Sequence, residues 1–233
     1  MTINQKFLEL YKRLETLLDM RYPYADTSVK EYYHSLEKSM VKDAKERAVA
    51  IDMCRTLRNN LSHRNVGHLF NVTEDTIAFL EKEIDILENP FCAKDIMTPR
   101  ERIFSVTLNS NTIQVLDEIY KNSYDYVPVL DEKEKVIGVF SLNCLLAKIH
   151  KNHETRIENL STIYDYYQYI GLDEQVKEKF AFVSIDDDIE TIVDVFNNKK
   201  DKKVVLLFVT NHGTNNEKIR GIITPHDVIN KAR

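Results

Sequence analysis

Two groups of residues carry the types and spacings that chemistry needs. Near the C-terminus, Thr224 is followed three residues later by Asp227, with Pro225 between them, where a β-rich run gives way to a helical one. A carboxylate accepts on two oxygens, so Asp227 suits the adjacent 2′ and 3′ hydroxyls of a ribose. The Thr224 hydroxyl and the amides that open the helix can face a phosphate at the positive end of the helix dipole. Pro225 suits the first helical position because it has no amide hydrogen to waste there. The same spacing is that of a helix capping box, which needs no ligand; the residues alone leave both uses open. Ser184, on the run AFVSI, is a further candidate for lining this cleft, and backbone groups near Val205 and Leu206 are candidates for reading the edge of a base.

The second group is Arg58, Asn59 and His63, in VAIDMCRTLRNNLSHRN. An imidazole titrates near neutrality and can act as acid or base, and a guanidinium can stabilise charge growing on phosphate oxygens. Asn59 could orient a phosphate or hold the imidazole. Projected at ~100° per residue, Ala50, Met53, Cys54, Leu57 and Leu61 share the side expected to face a core, and Asp52, Arg55, Arg58, Asn59, Ser62 and His63 lie on the opposite arc. The bland alternative is that Arg58 and His63 bond acidic partners such as Asp52 across a helical interface.

Helices must position the second group. Ile3, Phe7, Leu10, Leu14, Leu17 and Leu18 recur at three- and four-residue steps, and helical spacing resumes after Tyr22, Pro23 and Tyr24 through Tyr32, Leu36 and Met40, then from Val41 toward Leu61. Thr73 can cap a fourth helix with the face Ile77, Leu80, Ile84 and Leu87, ended by Asn89 and Pro90. Residues 1–90 are therefore expected to form an all-α bundle. Beyond Pro90, short β-rich runs (IFSVTL, YVPVL, KVIGVF, AFVSI, KVVLLFV, KIRGIIT) alternate with helical ones. The order strand, helix, strand, strand, helix occurs twice, with Gly138 and Gly221 at the same place in each copy. The fold class that follows is α+β: a helical bundle, then two β-α-β-β-α repeats at about 91–150 and 181–233, joined by a connecting helix within 151–180.

This repeated unit resembles the CBS domain pair, or Bateman module, over residues 91–233. The most specific stretches are DIMTPR (95–100), YVPVLDEKEKVIGVFS (126–141) and GIITPHD (221–227). The resemblance implies two copies packed about a pseudo-twofold axis, with clefts for an adenine nucleotide (AMP, ADP or ATP) as a regulatory ligand. Thr224, Pro225 and Asp227 fall at its binding point. The first copy departs from the pattern: Ser141, Leu142, Asn143 and Cys144 put a thiol, a poor acceptor, where the ribose-binding acid should stand. One working cleft per chain, in the second copy, is expected.

Arg58 to His63 is similar to the R-x4-6-H motif of HEPN domains, including the polar residue after the Arg, and the likeness extends over roughly residues 1–90. It implies a helical bundle, often a homodimer, in some members a metal-independent ribonuclease with RNA as substrate. Two Arg and two His would then share a cleft, with Arg55, Arg64 and His68 adding positive potential and Tyr32 and Tyr33 as core or dimer contacts in preference to base-stacking residues. The alternative is a non-catalytic sensor that uses the bundle for dimerisation or partner docking.

Composition narrows the field further. The formal net charge of -5 argues against a strong, non-specific nucleic-acid binder. Cys54, Cys92 and Cys144 stand far apart with no metal-ligand spacing, so no metal site is expected, and Asp186, Asp187 and Asp188 read as a solvated helix start. No apolar run approaches the ~18 residues of a membrane span, and the charged start MTINQKFLELYKRLE is unlike a signal peptide. A cytoplasmic location with no membrane association is the expectation.

Overall fold

The periodicity of the first ninety residues folds, in the computed structural model, as four helices: α1 (Ile3–Arg21), α2 (Ser28–Lys38), α3 (Ala44–Ser62) and α4 (Glu74–Glu88). The structure describes residues 1–39, 41, 43–63, 70–152, 157–174, 178–197 and 202–231. They divide into two units, Met1–Phe91 and Cys92–Arg233. The first turn of α1 is closed by a capping box, in which Thr2 N donates to Gln5 Oε1 (2.8 Å) and Gln5 N to Thr2 Oγ1 (3.3 Å). Thr73 Oγ1 accepts from Thr76 N at the start of α4. Phe7, Tyr11, Leu14 and Leu18 of α1, Val29 and Leu36 of α2, Ile51 and Cys54 of α3, and Ile77, Leu80 and Ile84 of α4 make one core.

Two features of this core differ from the helical projection. On α3 the buried positions are Ala44, Ala48, Ile51 and Cys54, whereas Met53 is 67% exposed and Leu57 and Leu61 pack at the edge. The projection weighted large side chains, but the two alanines mark where α3 lies close to its neighbours. The same face also carries a charge. Glu83 of α4 is 0% exposed; its Oε1 accepts from Arg47 Nε (2.7 Å) and its Oε2 from Arg47 Nη2 (3.0 Å) and the Tyr32 hydroxyl (2.8 Å).

The second unit holds both repeats. In the first, β2 (Val127–Leu130) and β3 (Val136–Phe140) pair antiparallel, and the run expected as a strand at 103–108 contributes a single parallel bridge from Val106 to Val129. Helices α6 (Thr112–Asn122) and α7 (Leu142–Asn152) complete it. In the second repeat, β4 (Glu178–Ser184) runs parallel to β5 (Lys203–Thr210), which pairs antiparallel with β6 (Gly221–Ile223), alongside α9 (Ile189–Asn197) and α10 (Pro225–Lys231). A shared apolar cluster joins the copies: Leu130, Val136 and Val139 of the first with Phe180, Leu206, Phe208 and Ile219 of the second.

Each repeat is finished by the arm that precedes the other. The segment holding α5 (Ala93–Ile96) and β1 (Thr98–Pro99) adds an edge strand beside β6 and buries Ala93 and Ile96 among Val183, Ile192, Leu207 and Ile223. Within 151–180, where a connecting helix was expected, a 3₁₀ turn (Ile163–Tyr166) continued by α8 (Tyr167–Ile170) sinks Ile163, Tyr166 and Ile170 into the first copy's core. The backbone bonds correspond. Ala93 N donates to Asp187 O (2.9 Å) and Lys94 N to Ile185 O (3.1 Å), as Ile163 N does to Ser110 O (3.0 Å) and Tyr164 N to Leu108 O (2.9 Å).

The exchange explains the repeated glycine. A Cβ at Gly138 would stand 2.5 Å from Ile170 O, and one at Gly221 2.8 Å from Thr98 O and 2.5 Å from Met97 Sδ. At each glycine the partner arm presses on the strand too closely for any side chain. Gly138→Ala should therefore destabilise the second unit by about 1–3 kcal/mol, the range for overpacking, read as a lower urea midpoint.

Candidate functional site

The junction of β6 and α10 places Thr224 and Asp227 as a pair. Asp227 Oδ2 accepts from Thr224 N (2.9 Å) and from Thr224 Oγ1 (2.7 Å), while Asp227 N lies 3.1 Å from Thr224 O. Pro225 is the first residue of α10. The capping geometry is thus realised at Asp227 Oδ2. A carboxylate offers about four lone-pair sites, so capping does not by itself exclude a contact to a ligand hydroxyl.

Strand register fixes what lies beside this pair. Ile223 is opposite Leu207 on β5, so Thr224 continues toward Leu206 and Val205, and Phe180 of β4 pairs with Leu206 on the other side. The backbone near Val205 and Leu206 is therefore at the same end of the sheet as Thr224. Ser184 is not: it pairs with Thr210, four residues further along β5 than Leu206, or about 13 Å. Its hydroxyl donates to Asn211 O (2.9 Å) and its amide to Asp187 Oδ2 (2.8 Å), which close the turn into α9. Asp188 Oδ1 accepts from Thr191 N (2.9 Å) and Thr191 Oγ1 (2.8 Å) at the start of that helix. No cluster able to hold a metal ion is found among the described residues.

The corresponding junction of the first repeat is built differently. Ser141 and Cys144 are buried, Cys144 to 1% exposure. The Cys144 thiol donates to Val139 O (3.4 Å) and Tyr169 O (3.3 Å) within the first copy's core. A carboxylate there would be desolvated among apolar side chains, so the thiol suits a position that faces inward.

The CBS-domain family model matches residues 93–151 and 174–233, just over half of the chain. The chain belongs to the CBS-domain family. Its two CBS copies correspond to the two repeats described above, and the second match begins only after the α8 arm. Similar solved structures include CbpB in complex with c-di-AMP, 17% identical, TM-score 0.47, covering 64% of this chain and 88% of that one. The CBS domain of the bacterial CNNM/CorC family Mg2+ transporter in complex with ATP is 20% identical, TM-score 0.44, covering 66% and 93%. CBSX2 in complex with AMP is 20% identical, TM-score 0.42, covering 60% and 93%. No curated protein matches the chain.

In the helical unit, a hydrogen bond joins Arg58 to Asn59, and His63 follows at the C-terminal end of α3. Arg58 Nη2 pairs with Glu15 Oε1 (3.1 Å), Nη1 donates to Asn59 Oδ1 (3.1 Å), and the guanidinium lies 5.7 Å from the centre of the Tyr11 ring. His63 is the exposed residue that ends α3, five positions beyond Arg58, which is ~140° around the helix. Arg55 is held by Asp52 (2.7 Å). Tyr32 is a core residue bonded to Glu83, and the Tyr33 hydroxyl donates to Glu37 Oε1 (2.8 Å). Arg64 and His68 lie outside the described residues.

Proposed function

We propose that the chain is a regulatory adenine-nucleotide sensor, whose second CBS copy holds the ribose of AMP, ADP or ATP on Asp227 and its phosphate near Thr224. The observation that carries this is the Thr224–Asp227 pair at the strand-to-helix junction, at the sheet end shared with Val205 and Leu206. Apolar packing between the copies gives a ligand in a cleft a route to both. To regulate anything, the nucleotide must favour one arrangement of the protein over another by differential affinity. A thermal-shift screen tests it: at an adenine nucleotide concentration near 100 times Kd, stabilisation of about 2.7 kcal/mol is expected, with none from a pyrimidine nucleotide. Equal shifts from both would remove the adenine claim.

For the helical unit we infer dimerisation or partner docking, with nucleotide state as input, in preference to a HEPN-type ribonuclease. Arg58 supports this, because its charge is already matched by Glu15 and its guanidinium lies over the Tyr11 ring. A phosphate would have to displace that pair. The expected result is no metal-independent RNA turnover above background, and the same background for His63→Ala. Cleavage that His63→Ala reduces by the 100-fold or more typical of a lost acid or base would reinstate Arg58, Asn59 and His63 as catalytic, with a homodimer supplying the second His.

A further inference from the structure

Lys135, directly before β3, and Lys218, shortly before β6, occupy the same place in the two repeats and pair with each other in an antiparallel bridge. Two residues on, Arg220 meets the arm: Pro99 pairs with Gly221, and Arg100 N donates to Arg220 O (2.9 Å). Ile219 is 0% exposed, whereas Lys218 and Arg220 on either side of it are exposed. Residues opposite one another in an antiparallel pair share a face, and so do alternate residues of one strand. Lys135, Lys218, Arg220 and Arg100 therefore stand together on one outer face, as two like-charge pairs.

One carboxylate serves this quartet. Glu134 Oε1 lies 3.3 Å from Arg100 Nε, and Glu134 Oε2 pairs with Lys218 Nζ. The contact to Arg100 is not a hydrogen bond, and its buried Nε has no such partner among the described residues. Lys218 and then Arg100 hold the Glu134 carboxyl below the usual carboxylate range, so it is charged at neutral pH. Other acids of the same two turns are engaged elsewhere. Asp131 Oδ1 accepts from Lys133 N and Lys135 N (both 2.8 Å), and Glu217 bonds His212 N (2.8 Å) and Nδ1 (2.5 Å). Like charges directly opposite on neighbouring strands are destabilising. In a chain of net charge -5 this concentration of cations is a local conflict, of the kind expected where a surface has a use.

We propose that the face carrying Lys135, Lys218, Arg220 and Arg100 docks an extended acidic segment of a partner protein, with carboxylates at alternate residues. Alternate side chains of an extended chain repeat at about 7 Å, which is also the repeat of Lys218 and Arg220 along their own strand. Four cations against one carboxylate leave an excess that a short acidic run satisfies, and the two guanidiniums offer planar forks that pair with carboxylates. A nucleic acid fits less well. Its charge extends beyond a Debye length of about 10 Å and there meets the field of an acidic protein. The surface uses neither Thr224 nor Asp227 and is independent of the nucleotide reading.

The test is fluorescence anisotropy on the full chain at low ionic strength, with a labelled octapeptide of alternating Glu and Thr, its Gln counterpart, and an oligouridylate of equal charge. The Glu peptide should bind, more weakly as salt is added, and the Gln peptide should not. Arg220→Gln or Lys135→Gln should weaken binding about tenfold, the effect of losing one charge-assisted hydrogen bond, and Glu134→Gln should tighten it. Lys12→Gln, which removes the same charge from α1, should do neither. Without peptide, Arg220→Gln should raise the urea midpoint at low salt, because it relieves repulsion; a lower midpoint would make Arg220 a structural residue and overturn the proposal. Circular dichroism checks that each variant is folded. No binding of the Glu peptide, equal binding of the Gln peptide, or undiminished binding to folded Arg220→Gln also overturns it. Tighter binding of the oligouridylate overturns the acidic segment in favour of nucleic acid.

Discussion

Asp227→Ala is expected to remove the thermal stabilisation that the proposed nucleotide binding would give the wild type. A charge-assisted hydrogen bond contributes about 1.5–3 kcal/mol, so losing the two that a vicinal diol makes weakens affinity by roughly two orders of magnitude or more. The same change also removes an acceptor from Thr224 N and Thr224 Oγ1, and loss of such a cap costs about 1 kcal/mol. The two effects are separable. Cap loss lowers the midpoint of the protein without nucleotide, while loss of the ligand contact removes the difference that nucleotide makes. Asp227→Asn sharpens the division, because an amide keeps one oxygen for the cap but turns its other end into a donor. Its unliganded midpoint should stay within about 0.5 kcal/mol of wild type, with the nucleotide shift still gone. If Asp227→Asn is stabilised by nucleotide as well as wild type is, Asp227 is a helix cap and nothing more.

How much of this was legible in the sequence follows from the range of each interaction. Capping at Thr73, the start of α9 at Asp188, and the strand-to-helix step at Thr224 depend on residues three positions apart, and the spacing shows them. The repeated glycines were visible as a pattern, but the reason for them was not. Gly138 is constrained by Ile170 and Gly221 by Thr98, and nothing in the arms themselves states which copy each will join. Ser184 failed to join the candidate site for a related reason. Its type was suitable, but only the register of β4 against β5 reveals that it leaves the sheet at the other end. Cys144 was recognised as a departure from the acid. That its thiol turns inward to Val139 and Tyr169 required the packed arm. The Glu178 carboxylate, which accepts from the Tyr126 hydroxyl and Asn143 Nδ2, gave no local signal at all, because these partners lie 52 and 35 residues away.

Arg47→Ala should produce the largest loss of stability in the helical unit. In sequence, Arg47 stands in the charged run KDAKER and Glu83 in the charged run EKEID. Both lie on the inner sides of their helices, with side-chain exposures of 14% and 0%. Removing the guanidinium leaves Glu83 buried with only the Tyr32 hydroxyl of the present donors, and breaking a buried pair in this way costs about 3–5 kcal/mol. Replacing the whole cluster has a different sign of consequence. Desolvating the two charges offsets most of their attraction, so Arg47→Met with Glu83→Leu should recover most of that loss, and adding Tyr32→Phe removes the last polar group that needs a partner. The measurement is urea unfolding of the single, double and triple variants. A double variant as unstable as Arg47→Ala would show that the ion pair itself contributes the stability; recovery shows that the cost lies in the stranded carboxylate, and that Arg47 and Glu83 set which faces of α3 and α4 meet.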